Sequence, residues 1–256
     1  MMSAQIYQFL IGSDNFGVLL HDPKTGATAS IDAGEEAPIL EALETTGWRL
    51  TDILVTHHHG DHIAGLAALR SKLGARVVGA AADKHRIADI DLAVKEGDHF
   101  TVGSLEVRVF ETPGHTVGHI AFHLPDEKLL FAGDTLFAMG CGRLFEGTPA
   151  DMHQSLQKLA ALPQDTALYC GHEYTLSNGR FALRVDPDNA ALKQRMLEVE
   201  ALRAQNRFTI PSTLSQELAT NPFLRAADPA IARTIGLEGQ TPLAVFTALR
   251  ELKNKG

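Results

Sequence analysis

Three histidines and a carboxylate fall within six residues in the run His57, His59, Asp61, His62, which reads H-x-H-x-D-H inside Thr56-His57-His58-His59-Gly60-Asp61-His62. A packed core has little use for so many imidazoles. Protonated, they would repel one another; neutral and buried, they would leave ring nitrogens unpaired. A divalent metal resolves the conflict, because neutral imidazole and carboxylate are its natural ligands. The chemistry that such a centre offers is activation of water and polarisation of a carbonyl.

The segment before the run, residues 50–56, is apolar with β-branched residues at its end and reads as a short strand. Along extended backbone alternate side chains share a face, so His57 and His59 converge on one ion while His58 points away. After Gly60 the spacing of Ile63, Leu66, Ala67 and Leu69 is helical, over about residues 61–72. Asp61 and His62 stand at that helix's start and face a different point. Two directions of approach predict two metal positions.

Three more strand-like segments end in the same way. Residues 105–110 lead into Thr112-Pro113-Gly114-His115, residues 128–132 into Gly133-Asp134, and residues 166–170 into Gly171-His172. Functional residues gather on loops at strand ends, where a rigid sheet aims them. Glycine there lets the backbone turn sharply or approach closely. The count then gives His57, His59 and His115 to one ion and Asp61, His62 and His172 to the other, with Asp134 bridging. Seven ligands for two ions leave open positions for water and substrate, whereas a structural zinc is closed by four. The expected cofactors are two divalent ions per chain: zinc first, with iron or manganese also suited to these ligands.

The elements that must position these residues change character along the chain. Strands are expected at residues 4–11, 16–20, 27–31 and 76–80, and a helix at 38–45. Thr148, Pro149 and Asp151 spell a helix start, and that helix runs to about Ala161. Beyond His172 strands disappear. A long helix is expected from about Asn189 to Asn206, capped by Asp188. A short one follows the Thr213/Gln216 capping box, and a last one runs from Thr241-Pro242 to about Lys253. Hence an α/β domain over 1–173 is expected, followed by a helical domain over 174–256.

Composition bounds the rest. The 256 residues are 45% apolar and 21% charged, with a net charge of −8, ordinary for a soluble globular chain. No apolar run reaches membrane-spanning length, and the first residues lack a basic region and apolar signal core, so a cytoplasmic location is expected. Cys141 and Cys170 are too few for a disulfide framework. Residues 1–173 hold 12 Lys+Arg against 23 Asp+Glu, and residues 174–256 hold 11 against 8. The basic tail is either a solvated helical surface or a receiver for an anionic substrate. It is too weakly basic and too poor in aromatics for nucleic acid.

With T-P-G-H-T at 112–116, F-A-G-D-T at 131–135 and G-H at 171–172, the T-H-H-H-G-D-H run resembles the metallo-β-lactamase superfamily. G-C-G-R-L-F-E-G at 140–147, G-H-E-Y-T at 171–175, F-A-L at 181–183, N-P-F-L-R at 221–225 and R-E-L-K at 250–253 narrow the resemblance to glyoxalase II, the hydroxyacylglutathione hydrolases. It implies an α/β fold: an αββα sandwich followed by a smaller all-helical C-terminal domain that binds glutathione. The implied substrate is an S-(2-hydroxyacyl)glutathione, typically S-D-lactoylglutathione from methylglyoxal. The implied nucleophile is a hydroxide bridging two metals, with Asp61 both ligand and orienting group. A thiolate with a pKa of about 8.5 leaves without a general acid. The resemblance places Arg143, Phe145, His172, Tyr174, Arg250 and Lys253 against the substrate, with Arg143, Arg250 and Lys253 on glutathione carboxylates. Many relatives have Lys and Tyr where this chain has Arg143 and Phe145; arginine keeps the charge, and phenylalanine lacks the hydroxyl.

His58 and His119 stand near the motifs as candidate partners of the ligands. His21, His85, His99, His123 and His153 have no such context. Two other readings share the ligand pattern. One is a glutathione-persulfide dioxygenase with a single iron on His57, His59, His115 and Asp134, and the other is a metal-binding module without activity. The expected partner is the small thioester alone, with no nucleic acid or membrane, and the expected state is a monomer.

Overall fold

The structure, a computed structural model, describes residues 4–255. Packing divides the chain into two compact units. The first takes the chain up to Glu111 together with Gly118–Gly133, and the second takes Thr112–Val117 and everything from Asp134 onward. This division by packing falls elsewhere than residue 173, because residues 134–173 pack with the C-terminal helices.

In the first unit six strands lie in sequence order: β1 (Gln5–Ile11), β2 (Asn15–His21), β3 (Thr28–Ile31), β4 (Asp52–Leu54), β5 (Arg76–Ala80) and β6 (Leu92–Val94). The first three pair antiparallel, and β3 to β6 run parallel. Parallel strands are covered on both faces and read as continuous apolar runs. Ile53, Leu54, Val77 and Val78 are accordingly all fully buried. Ile53, Val55 and Val77 pack with Ile39 and Leu43 of helix α1 (Glu36–Thr46). The same cluster takes in Leu66 and Leu69, which follow the short helix α2 (Gly60–Ile63) and lie on α3 (Leu66–Leu73). Four more strands, β7 (His99–Val102), β8 (Leu105–Glu111), β9 (Ile120–Leu124) and β10 (Leu129–Phe131), form an antiparallel series. In β8, Leu105, Val107 and Val109 are buried while Glu106 and Arg108 are exposed, the period-two pattern of a strand with one wet face.

Two expected elements are shorter than the pattern suggests. The helix expected over 61–72 is split after Ile63. A Cβ on Gly65 would lie 2.6 Å from the Glu36 nitrogen, and the Gly65 amide donates to the Ala33 carbonyl at 2.8 Å. The chain therefore turns there to pack against the segment entering α1. The strand expected over 50–56 keeps only Asp52–Leu54. From Thr56 the backbone leaves the sheet, its amide donating to the Asp32 carboxylate at 2.7 Å instead.

The second unit contains the hairpin β11 (Leu136–Phe137) and β12 (Gly140–Cys141), helix α4 (Pro149–Ala160) and strand β13 (Ala167–Tyr169). After these come α5 (Thr175–Val185), α6 (Ala190–Ala204), β14 (Ser212–Thr213), α7 (Leu214–Thr220), α8 (Pro229–Thr234) and α9 (Pro242–Asn254). Reciprocal capping boxes start α4 at Thr148/Asp151 and α7 at Thr213/Gln216. The cap of α6 is Asn189, which accepts from the Leu192 amide at 3.0 Å, rather than Asp188. Strands do not end at His172, since β14 pairs antiparallel with β13. Helix α5 has no side-chain cap and carries Gly179 in its interior, which hides it from pattern reading. The glycine is required by packing, for a Cβ there would sit 2.0 Å from the Met196 sulfur on α6. Among the described residues no helix is long and apolar enough to cross a membrane.

Candidate metal centre

In the first unit the ligand run is held from β3. Asp32 follows that strand with φ 58, a left-handed conformation that aspartate tolerates better than most residues. Its Oδ1 accepts from the Thr56 amide at 2.7 Å, and its Oδ2 lies 2.8 Å from both Thr56 Oγ1 and His62 Nδ1. A carboxylate only accepts, so Nδ1 of His62 carries the proton and Nε2 is left as the ligand atom. Asp32 is the functional residue that sequence reading passed over. Its signal was present: Asp32-Ala33-Gly34 ends β3 as the other ligand turns end their strands.

His57 Nε2 and His59 Nδ1 converge to 3.1 Å. Two nitrogens bonded to one tetrahedral ion at 2.0–2.1 Å would stand roughly 3.3 Å apart. Two lone pairs do not approach this closely without a proton or an ion between them, so the pair fits a metal. Thr56 Oγ1 is 3.0 Å from His57 Nδ1, and the His119 ring stacks on His57 with centroids 4.9 Å apart. His119 is thus in ring contact with a candidate ligand. His58 is turned the other way, its Nδ1 3.2 Å from the buried Asp83 carboxylate. Asp61 is the most exposed of the set, with Oδ2 3.7 Å from His62 Nε2.

In the second unit Asp134 is the centre. Its Oδ2 lies 3.4 Å from His115 Nε2 and 3.5 Å from His172 Nε2. One carboxylate oxygen shared by two imidazole nitrogens is the arrangement a bridging ligand needs. His115 Nδ1 is 2.8 Å from the Arg143 carbonyl, which again assigns the proton to Nδ1 and ligation to Nε2. The loop after β12 runs tight against both ligands: a Cβ on Gly142 would lie 1.9 Å from the Asp134 carbonyl oxygen and 3.1 Å from His115 Nδ1.

The expected substrate residues cluster on this second unit. Phe145 is 64% exposed and presents its ring edge to His115, centroids 5.2 Å apart. Tyr174 stacks flat on His172 at 4.8 Å. Lys253 donates to the Ser177 carbonyl at 3.2 Å and lies over the Phe181 ring at 5.5 Å. Burial, then the positive charges of Arg250, Arg184 and Arg143, lower its pKa to about 8. Arg143 and Lys253 therefore belong to one cationic patch. Arg250 departs from expectation. It is 4% exposed and donates to the Cys141 carbonyl at 2.7 Å, so its guanidinium is engaged by the loop. Cys141 and Cys170 are buried, and burial raises both thiol pKa values. Burial thus disfavours the thiolate, the nucleophilic form, at both positions.

The chain from residue 5 to 172 matches the family model described as the metallo-beta-lactamase superfamily, and residues 173–256 match the model described as the hydroxyacylglutathione hydrolase C-terminus. A hydroxyacylglutathione hydrolase of Rhizobium johnstonii is 57% identical over 254 residues, covering 99% of both chains. The chain belongs to the hydroxyacylglutathione hydrolase family. A second relative of that name, from Rhodopseudomonas palustris, is 56% identical over 99% of this chain and 100% of its own. Among solved structures, ETHE1 from Myxococcus xanthus superposes with a TM-score of 0.70 at 25% identity, covering 96% of this chain and 90% of that one. Hydroxyacylglutathione hydrolases thus share with this chain a metallo-β-lactamase domain followed by a helical C-terminal part, the fold class that the motifs implied.

Proposed function

We propose that this enzyme hydrolyses the thioester of S-(2-hydroxyacyl)glutathione, S-D-lactoylglutathione above all, to D-lactate and glutathione in methylglyoxal detoxification. The observation that carries this is the end-to-end match to relatives bearing the hydrolase name. The same match favours hydrolysis over the dioxygenase and the inert metal-binding module. In this reading the catalytic part is residues 1–173 and the glutathione-binding part 174–256; the two family models, which meet between residues 172 and 173, support a division near there.

The donor set suits two divalent ions, zinc first. In this reading His57, His59 and His115 would hold one ion and Asp61, His62 and His172 the other, with Asp134 shared between them. Bound there, such ions lower the pKa of water toward roughly 7 and polarise a carbonyl oxygen. The chain's own residues do the rest. Asp61 orients the attacking water. Asp32 and the Arg143 carbonyl hold His62 and His115 in the tautomer that ligates through Nε2. Arg143 and Lys253 take a carboxylate of the singly negative glutathione by charge-assisted hydrogen bonds. Tyr174, stacked on His172, lies against the sulfur end, and Phe145 gives an apolar contact. Arg250 adds its charge from beneath this patch. The leaving thiolate needs no general acid.

The enzyme works as a cytoplasmic monomer on this small molecule, without nucleic acid or membrane. Release of free thiol from S-D-lactoylglutathione, paired with elemental analysis of the purified protein, tests the reading. Turnover with two metal ions per chain is expected. Oxygen uptake with glutathione persulfide, without thioester hydrolysis, would overturn it.

A further inference from the structure

A buried arginine is ordinarily paired with an acid, because an uncompensated charge out of water is costly. Arg250 breaks that rule. It is 4% exposed, and its polar partners among the described residues are the Cys141 carbonyl at 2.7 Å, the Gly142 carbonyl at 3.4 Å and the Cys141 sulfur at 3.8 Å. Its guanidinium lies over the Phe223 ring at 5.2 Å, and its Nε has no hydrogen-bond partner. The charge is thus spent on two consecutive backbone carbonyls of one loop.

That loop is held by side chains along its length. Asn221 Nδ2 donates to the Phe137 and Gly140 carbonyls at 3.1 and 2.9 Å. Asn178 Nδ2 donates to the Ala138 carbonyl at 3.1 Å, and Glu217 accepts from the Met139 amide at 2.7 Å. Met139 has φ 52, a conformation unfavourable for methionine that must be imposed from outside. Arg250 completes the series at the end of the loop. The next carbonyl, that of Arg143, is the acceptor that fixes His115 Nδ1.

We propose that Arg250 is a positioning residue for the metal ligand His115: by clamping the Cys141 and Gly142 carbonyls it sets the Arg143 carbonyl that orients the imidazole. This rests on the reading of His115 as a metal ligand. It differs from the expectation that Arg250 holds a glutathione carboxylate, and the two are separable. A carboxylate holder acts on substrate binding alone, whereas a positioning residue acts on the metal before any substrate arrives.

The experiment is zinc affinity, by competition with a chelator, for the full-length wild type, Arg250→Lys, Arg250→Met and Lys253→Ala, each checked by circular dichroism and thermal melting. Steady-state kinetics with S-D-lactoylglutathione accompany it. Losing the group that directly holds a metal-bound imidazole costs 10–100-fold in metal affinity, and releasing the loop that sets the Arg143 carbonyl should reach the low end of that range. Both Arg250 variants should therefore bind zinc at least tenfold more weakly and lose kcat. Lys253→Ala should raise KM and leave zinc affinity alone. A raised KM in the Arg250 variants with wild-type zinc affinity and kcat would make Arg250 a carboxylate holder and overturn the proposal. A lowered melting temperature with unchanged zinc affinity would leave it purely structural and also overturn it. A measurement on the unmutated zinc-loaded protein removes dependence on folding of the variants. ¹⁵N–¹H NMR should show a slowly exchanging Nδ1–H on His115, and its absence refutes the orientation. A wild type that binds no zinc would instead refute the hydrolase reading itself.

Discussion

Lys253 gives the substrate site a pH signature. Its ammonium has a pKa near 8, lowered first by burial and then by three arginines. A carboxylate binds the charged form, so affinity is present below that pKa and fades as pH rises through it. With one titrating group, the charged fraction falls from about nine-tenths at pH 7 to about one-tenth at pH 9. Since kcat/KM reports groups of the free enzyme, it should fall about tenfold across that range. The contact is remote from the scissile bond and is made in ground and transition states alike, so kcat should be the flatter quantity. Lys253→Arg supplies the control, because arginine stays charged throughout. Dividing the wild-type profile by that of Lys253→Arg cancels every other titration, including that of the attacking water. The quotient should bend near pH 8. Lys253→Ala should raise KM roughly ten- to a hundredfold at pH 7, the worth of one charged hydrogen bond. A quotient flat from pH 7 to 9, or an unchanged KM in Lys253→Ala, would return this lysine to a solvated helix end.

Three further outcomes are expected. Asp32→Ala removes the acceptor at 2.8 Å from His62 Nδ1 and should weaken metal binding by roughly 10–100-fold, read by chelator competition. Asp134→Ala should lose more activity than alanine at any single ligand histidine, since its Oδ2 stands beside both His115 and His172; elemental analysis should show loss of both metals. Glu217→Ala strips a fully buried carboxylate from Arg195 at 2.9 Å and from the Met139 amide. That should cost about 3–5 kcal/mol in denaturant unfolding, because a buried charge is left unpaired.

Much of the site was legible because ligand chemistry is local. The turns after β8, β10 and β13 announce His115, Asp134 and His172 by glycine beside a donor, and the turn after β4 announces His57 by its density of histidines; each follows a strand end. Asp32 was passed over because its Asp-Ala-Gly turn, though it ends a strand as the ligand turns do, stands apart from any histidine in sequence; the 2.8 Å contact to His62 singles it out. The surroundings of Arg250 were not legible for the opposite reason: the motif gives its charge, but its burial and its contact with the Cys141 carbonyl come from a residue more than a hundred positions away. Helix α5 lacked a cap and held Gly179, so its pattern was silent. The breaks at Gly65 and Thr56 come from contacts with residues more than twenty positions away, which no local period encodes.

The hairpin of residues 136–141 carries a lesson about inheritance. Its backbone is shaped by Asn178, Glu217, Asn221 and Arg250, all of which lie past the point where one family model ends and the next begins. A gene cut at that point, between residues 172 and 173, would leave the hairpin in one fragment and its mould in the other. Recombination could not trade the helical tail freely among metallo-β-lactamase domains, however neat the boundary looks on paper. Tail and hairpin must travel together, and a chimera that respects this should carry residues 134–256 as a single inherited block, with the segment 112–117 matched to it.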